Sequence, residues 1–349
     1  MPYAILSDLH FHNWSQFSSV NNKGLNSRLE ITIAELHRAC QILRDRGSVE
    51  VIIPGDIFHV RGSIDPEVFN PVHDAFVKES NWGMKFTAMP GNHDLKGKDA
   101  SSLGNAFTSL GLIHNFLVLN STLDIKDKIF IPWMSNINAL RDEIARVAVK
   151  GAGCDLFIHA GIDGVITGVP EHGLTASDLA GYGFKRVFAG HYHHHKIMEG
   201  GKVISIGATT QQTFSDLGAK AGFLIVDGDE IEFHATHAPS FVEVNDTTPE
   251  EDIPIIVDGN FVRVRGLKLT DQQTLELRKS LMDMNAAGVR IEVARHVVSA
   301  RPTAVTPTKG VSLESSIYSY AEEICPDDID VNAIKVECLD ILTSVQTIS

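Results

Sequence analysis

The chain has few cysteines: Cys40, Cys154, Cys325 and Cys338 lie far apart, and none forms a Cys-x-x-Cys pair. This argues against a thiolate zinc knuckle or a disulfide framework. Long apolar runs are missing too, and no stretch approaches membrane-spanning length. The start, Met1-Pro2-Tyr3-Ala4-Ile5-Leu6, lacks a basic segment followed by a long apolar one, so it reads as a first strand rather than a signal peptide. The expected setting is therefore reducing and cytoplasmic, with no membrane attachment. Basic residues are scarce, 30 Lys and Arg against 44 Asp and Glu, for a net charge of -14. Residues 1–240 carry 20 basic and 26 acidic groups and residues 241–349 carry 10 and 18, so the deficit is concentrated in the smaller C-terminal part. Acidity of this kind disfavours broad adhesion to nucleic acid, which relies on Lys and Arg displacing counterions. Divalent cations bound in a cleft would reverse the sign locally.

At 349 residues and 43% hydrophobic content the chain is long enough for about two domains with a substantial core. Strands and helices alternate in the first half. Tyr3 to Ser7 reads as a strand, followed by a polar, aromatic loop from Phe11 to Ser27. Next comes a helix with Leu29, Ile33, Leu36, Cys40 and Leu43 spaced by three and four. Val49 to Ile53, Lys85 to Met89, Phe116 to Leu119, Lys128 to Ile131, Asp155 to Ile158 and Arg186 to Ala189 read as further strands. Helices are expected at Pro66 to Glu79 and near Ala100 to Leu110. From Lys202 the pattern changes to short strands with a hairpin through Asp227-Gly228-Asp229, which suggests a second sheet packed on the first with helices outside both. After an acidic stretch at Asp246 to Gly259, a new unit reads strand (Asn260 to Leu269), helix (Asp271 to Ala287), strand (Val289 to Val298). A linker at Arg301 to Gly310 precedes two amphipathic helices, with Leu313, Ile317, Tyr320 and Ile324 on one stripe and Ile334, Leu339, Leu342 and Val345 on the other. The boundaries expected are 1–240, 241–300 and 301–349.

Five short words follow predicted strands in a fixed order: Asp8-Leu9-His10, Gly55-Asp56, Gly91-Asn92-His93-Asp94, His159 and Gly190-His191-Tyr192-His193. Gly-Asp or His-x-His alone usually marks a turn or a surface cluster. Five such words, each closing a strand, converge on one rim of an open α/β sheet, where ligands bind. Phosphoester hydrolysis needs a nucleophile at neutral pH and neutralisation of phosphoryl charge, and a pair of divalent ions about 3.5–4 Å apart supplies both. Asp56 is the natural bridging carboxylate. Asp8, His10 and His193 would complete one ion's shell, and Asn92, His159 and His191 the other. Imidazole, carboxylate and amide ligands with open positions suit manganese or iron, with zinc also compatible, and suit calcium poorly. His93, flanked by Asn92 and Asp94, is left for catalysis. It would protonate the leaving oxygen, with Asp94 holding its imidazole in the useful tautomer.

These words resemble the calcineurin-like metallophosphoesterases and, within them, the SbcD-type DNA repair nucleases, including phage versions that serve as nuclease subunit of a recombination endonuclease. The resemblance is clear over roughly residues 1–240. It rests on Asp8-Leu9-His10 near the start, on Gly55-Asp56-Ile57-Phe58-His59 with its Phe and additional His, and on the strand-rich stretch after His193. It implies a four-layer αββα metallophosphoesterase sandwich with a small α/β cap domain and C-terminal helices. It further implies a hydrolase that cuts DNA as a 3'-to-5' exonuclease and endonuclease through a two-metal-activated hydroxide, with two divalent ions, Mn2+ first and Fe, Zn or Mg as alternatives. A homodimer is implied, through helices following Asp56 and Asn92, as is a closing helix pair that grips an SMC-like ATPase of SbcC type. His59 would place a strand end or support a metal ligand. A small-molecule phosphodiesterase or phosphatase of the same fold is the alternative, and a non-catalytic scaffold a more distant one. Four further features stay open. The Phe11 to Arg28 insert, with His12, Trp14 and Phe17, caps the sheet or stacks on a base. Lys96 and Lys98 are surface lysines or phosphate contacts, Arg263 and Arg265 share a strand face, and His194 and His195 read as solvated loop residues.

Overall fold

Side-chain alternation in the central strands decides the layering. In β1 (Tyr3–Ile5), Tyr3 and Ile5 point to one face and Ala4 to the other; in β2 (Glu50–Pro54), Ile52 faces with Tyr3 and Ile5 while Val51 and Ile53 face with Ala4. A strand buried on both faces needs an apolar layer on each side. The computed structural model, which describes residues 1–99, 104–292, 315, 318 and 330–346, provides both.

The first sheet comprises β1, β2, β3 (Lys85–Met89), β4 (Phe116–Val118), β11 (Gly222–Asp227) and β12 (Glu230–Ala235), in the order β12-β11-β1-β2-β3-β4. Strands β1 to β4 are parallel and β11 pairs antiparallel to β1. The second sheet comprises β5 (Leu123–Ile125), β6 (Lys128–Ile131), β7 (Asp155–His159), β8 (Arg186–Gly190), β9 (Lys196–Met198) and β10 (Val203–Ser205), in the order β5-β6-β7-β8-β10-β9. The inner faces share one core, in which Tyr3, Ile5, Ile52 and Leu224 meet Phe130, Phe157, Phe188 and Ile204. Phe130, Phe157 and Phe188 stack across neighbouring strands at 5.0 and 5.2 Å between centroids. Each such contact adds about 0.5–1.5 kcal/mol beyond burial. Outside the first sheet lie α1 (Ser27–Asp45), capped by Asn26, and α2 (Pro66–Asn81); outside the second lie α3 (Ile137–Ala148) and α4 (Ala176–Gly181). This is a four-layer αββα sandwich. The hairpin after Asp227 closes with Gly228 at φ 60°.

A third sheet, β13 (Phe241–Val244), β14 (Phe261–Arg265) and β15 (Gly288–Glu292), is parallel throughout, with α5 (Ile253–Val257) and α6 (Asp271–Asp283) in its connections. It has its own core of Val257, Val262, Val264, Leu281 and Val289. The Phe11–Arg28 insert packs on it: Phe17 stacks on Phe261 at 5.0 Å and 10°. Residues 1–293 form one compact unit and residues 294–349 a second, within which α7 (Val331–Gln346) is helical. The linker at 301–310 and the stripe of Leu313, Ile317, Tyr320 and Ile324 lie outside the described residues. No helix among the described residues is long and apolar enough to cross a membrane. One helical expectation is corrected: past residues 100–103, which are not described, the stretch to Leu110 is turn and then a 3-10 segment at Thr108–Leu112. The Asn105 side chain anchors that turn, accepting from the Phe107 amide and donating to Asn120, while the Ala106 amide donates to the Asp94 carbonyl at 2.8 Å, a backbone bond that a helix would break.

Candidate metal centre

All five words lie at the carboxyl ends of parallel strands, and the backbone there is bent sharply to turn side chains inward. Asp8, His10, Asp56 and His191 have φ of 51°, 45°, 54° and 97°, a left-handed region that non-glycine residues seldom occupy. Two glycines make room for this. A Cβ on Gly55 would lie 2.0 Å from His159 Nδ1, and one on Gly91 would lie 2.2 Å from Asp56 Oδ1.

Two donor sets form around Asp56. Asp8, His10 and His193 make one group and Asp56, His159 and His191 another, each with its ligand atoms within 4.8 Å of one another. Asn92 Oδ1 joins the second, 3.2 Å from His159 Nε2 and 2.9 Å from His191 Nδ1. Asp56 Oδ2 lies between the sets, 3.6 Å from His10 Nε2 and 3.4 Å from His159 Nε2. Its other oxygen accepts from the His93 amide at 2.9 Å, so one oxygen, rather than both, faces the two sets.

The donor chemistry fits divalent cations. The Pro54 carbonyl accepts from His159 Nδ1 at 2.8 Å and Asp216 accepts from His193 Nδ1 at 2.8 Å, which leaves each Nε2 lone pair facing inward. Asp8 is steadied by the Ser7 hydroxyl at 2.6 Å and the His191 amide at 3.0 Å. Burial holds His10 well below the ordinary imidazole range, and burial with the nearby His159 pushes His191 down to about 3, so both are neutral and able to ligate. Burial opposes charge on Asp56 as well, but His159 and His10 outweigh it and hold its carboxyl far below the carboxylate range. His159 rises to about 9 against the same burial penalty because Asp56 and Asp8 face it. A cation bound beside Asp56 would take the place of that proton.

The structure gives Asp94 a different task from the one expected. His93 Nδ1 donates to the His59 carbonyl at 2.6 Å, and that contact, not Asp94, orients the imidazole. Asp94 is fully buried and accepts from the amides of Gly91, Phe58 and Ile57 at 2.9, 3.0 and 3.3 Å, tying the loop after β2 to the loop after β3. His59 stacks on His93 at 5.1 Å and 16°, with Nδ1 3.3 Å from His10 Nδ1, so it supports a ligand and the catalytic candidate together. Trp14 closes over its other side at 4.5 Å. Sequence reading missed Asp216 and Trp133, whose ring lies 5.2 Å from His191. Asp216 sits in a capping box with Thr213, a local signal that could have drawn attention to it.

The peripheral expectations resolve unevenly. His195 is no solvated residue: its ring lies flat on Phe233 at 4.4 Å and Nδ1 is 3.1 Å from the Ser205 and Ile206 carbonyls. Arg263 pairs with Glu243 at 2.6 Å and Arg265 with Glu292 at 2.9 Å, so both are engaged on neighbouring strands. Lys96 and Lys98 are exposed.

Comparison with known proteins places this geometry. A profile of the calcineurin-like phosphoesterase family matches residues 1–195. Similar solved structures include the Pseudomonas putida nuclease MPE, at 18% identity and a TM-score of 0.29, covering 57% of this chain and 64% of that one, under two thirds of its length. A dimetal phosphatase from Danio rerio (10% identity, TM-score 0.39) matches over 64% of this chain and 91% of its own. A phosphoesterase from E. coli (15%, TM-score 0.35) matches over 68% and 94%. No curated protein matches the sequence significantly. The profile covers more than half of the 349 residues and contains every word of the site, and the chain belongs to the calcineurin-like phosphoesterase family of metal-dependent hydrolases.

Proposed function

We propose that this protein is a manganese-dependent DNA nuclease with 3'-to-5' exonuclease and endonuclease activity, the nuclease subunit of an SbcCD-like repair or recombination complex. The observation that carries the reading is the pair of donor sets meeting at Asp56 Oδ2, with His93 fixed beside them. Asp8, His10 and His193 would hold one ion and Asn92, His159 and His191 the other, with Asp56 serving both. When bound, such ions make a nucleophile available at neutral pH and neutralise charge on phosphoryl oxygens. The chain's own contribution is proton transfer. His93, steered through Nδ1, presents Nε2 to the leaving oxygen of a phosphodiester and, as imidazolium, protonates it as the bond to phosphorus breaks. Trp14 packs against His59 and Trp133 against His191 beside it.

The DNA substrate is supported by Asp8-Leu9-His10 near the start, by the Gly55-Asp56-Ile57-Phe58-His59 word and by the strand-rich stretch and small sheet that follow His193. Partnership with an SMC-like ATPase and homodimerisation rest on the same resemblance, and the cytoplasmic setting on the scattered cysteines. Net charge of -14 favours a second reading, a small-molecule phosphodiesterase on the same scaffold. The deciding experiment is manganese-supported degradation of 3'-end-labelled duplex DNA by the intact chain and by His93→Ala. The nuclease reading expects cleavage by the intact chain and a loss of about 100-fold or more in the variant. Hydrolysis of bis-p-nitrophenyl phosphate with DNA left intact, even with an SbcC-type ATPase added, would support the small-molecule reading.

A further inference from the structure

The metal rim occupies the carboxyl ends of the strands, and the amino ends of the same strands frame a second opening. There a cleft of about 530 Å3 is lined by Tyr3, Lys85, Lys126, Lys128, Lys185 and Arg186. Five cations on one cleft is a marked departure in a chain of net charge -14. Three of them have carboxylate partners. Lys128 lies 3.3 Å from Asp127 and 3.5 Å from Glu50, Lys185 lies 2.9 Å from Asp229, and Arg186 reaches Asp155 through Nε and Nη2 at 2.8 and 2.7 Å. Lys85 and Lys126 make no ion pair among the described residues, and both are exposed.

Arg186 is only 6% exposed, and its Nη1 has neither a hydrogen-bond partner nor accessible surface. Nε and Nη2 are committed to Asp155, whose second oxygen also accepts from the Tyr3 hydroxyl at 2.5 Å, so Arg186 lends the wall positive charge rather than a direct contact. The donors open to a ligand are the ammonium groups of Lys85 and Lys126, which bind phosphate as point charges. The cleft's volume exceeds that of inorganic phosphate and falls within the range of small-ligand pockets. Ile125, Tyr3 and Phe130 supply apolar wall.

We propose that this cleft is a second ligand site, separate from the metal centre, that binds a small phosphate-bearing anion through Lys85 and Lys126, with Arg186 adding positive charge from the wall. From Tyr3 to Asp8 the chain advances about 15 Å at strand rise, so the two sites share the sandwich but no residue. The proposal does not depend on DNA being the substrate.

The test is calorimetric titration of the intact chain, kept in EDTA so that the metal centre stays empty, with inorganic phosphate and separately with dAMP. The comparison is the double variant Lys85→Glu with Lys126→Glu, two exposed positions whose change leaves the core intact; circular dichroism checks its fold. Saturable binding weakened at least tenfold in the variant is the expected result. Tighter binding of dAMP than of phosphate by tenfold or more would identify a nucleotide as the ligand, and equal binding would identify phosphate itself. No saturable binding of either anion, or binding unaltered in the variant, overturns the proposal.

Discussion

Gly91 shows how little tolerance the site has. A Cβ at this position would lie 2.2 Å from Asp56 Oδ1 and 2.7 Å from His159 Cε1, so any side chain displaces His159 or Asp56, the carboxylate that lies between the two donor sets. Gly91→Ala is expected to lower manganese-supported hydrolysis of bis-p-nitrophenyl phosphate by about 100-fold, the cost of an ångström-scale misplacement. A variant that turns over at the intact rate would mean that the loop yields without cost. Asp216 acts one step removed, by holding His193 Nδ1 at 2.8 Å. Asp216→Asn should weaken manganese binding about 10–100-fold by calorimetry while the protein stays folded, and unchanged affinity would remove it from the ligand's support. The ligand residues were legible in the sequence because their types carry the chemistry and their words follow strands. Asp216 was not, since its role arises from a contact across 23 positions of chain. Asp94 could be found but not read, because its amide partners on β2's loop are fixed only by the fold.

At the scale of elements, helix α1 is clamped to α2 by a buried carboxylate. The Glu79 side chain is fully buried and binds His37 at 2.5 Å and Arg44. Burial works against its charge, yet hydrogen bonds from His37 and Arg44 prevail and hold its carboxyl below the usual 4.5. A depressed folded-state pKa stabilises the protein above the unfolded pKa, and that stability is lost as pH falls through the folded value. Glu79→Gln should therefore lower the unfolding free energy by about 2 kcal/mol at neutral pH, a figure reduced for the partly exposed partners. The difference should shrink below pH 4.5 in urea denaturation, whereas a pH-independent difference would contradict the ion-pair account. Strands were easier to read than helices. β3 (Lys85–Met89) was read to the residue, and β2, β7 and β8 to within one, because apolar runs ending in glycine or aspartate leave little freedom. α3 went unread although Asn136 caps it and Leu140 and Ile144 sit four apart on its buried face. Ile137, Leu140, Ile144, Val147 and Ala148 recur at helical spacing and pack on the outer face of the second sheet, so this helix was legible in the sequence.

For the molecule as a whole, the order of layers follows from strands that are apolar on both faces. The two sheets of the sandwich then assign the metal centre to one end and the cationic cleft to the other. Net charge misled in one respect: an acidic chain still gathers five cations on a single cleft, which a total cannot reveal. At the opposite end Asp8 and Asp56 provide the negative charge that two divalent ions require. The central claim is that this rim holds two ions and not one, and its most direct test is the number of manganese equivalents bound per chain by the intact, metal-reconstituted protein. The account predicts two, both retained in His93→Ala, because His93 belongs to neither donor set joined at Asp56. A single equivalent at saturation, or loss of an ion on replacing His93, would contradict it.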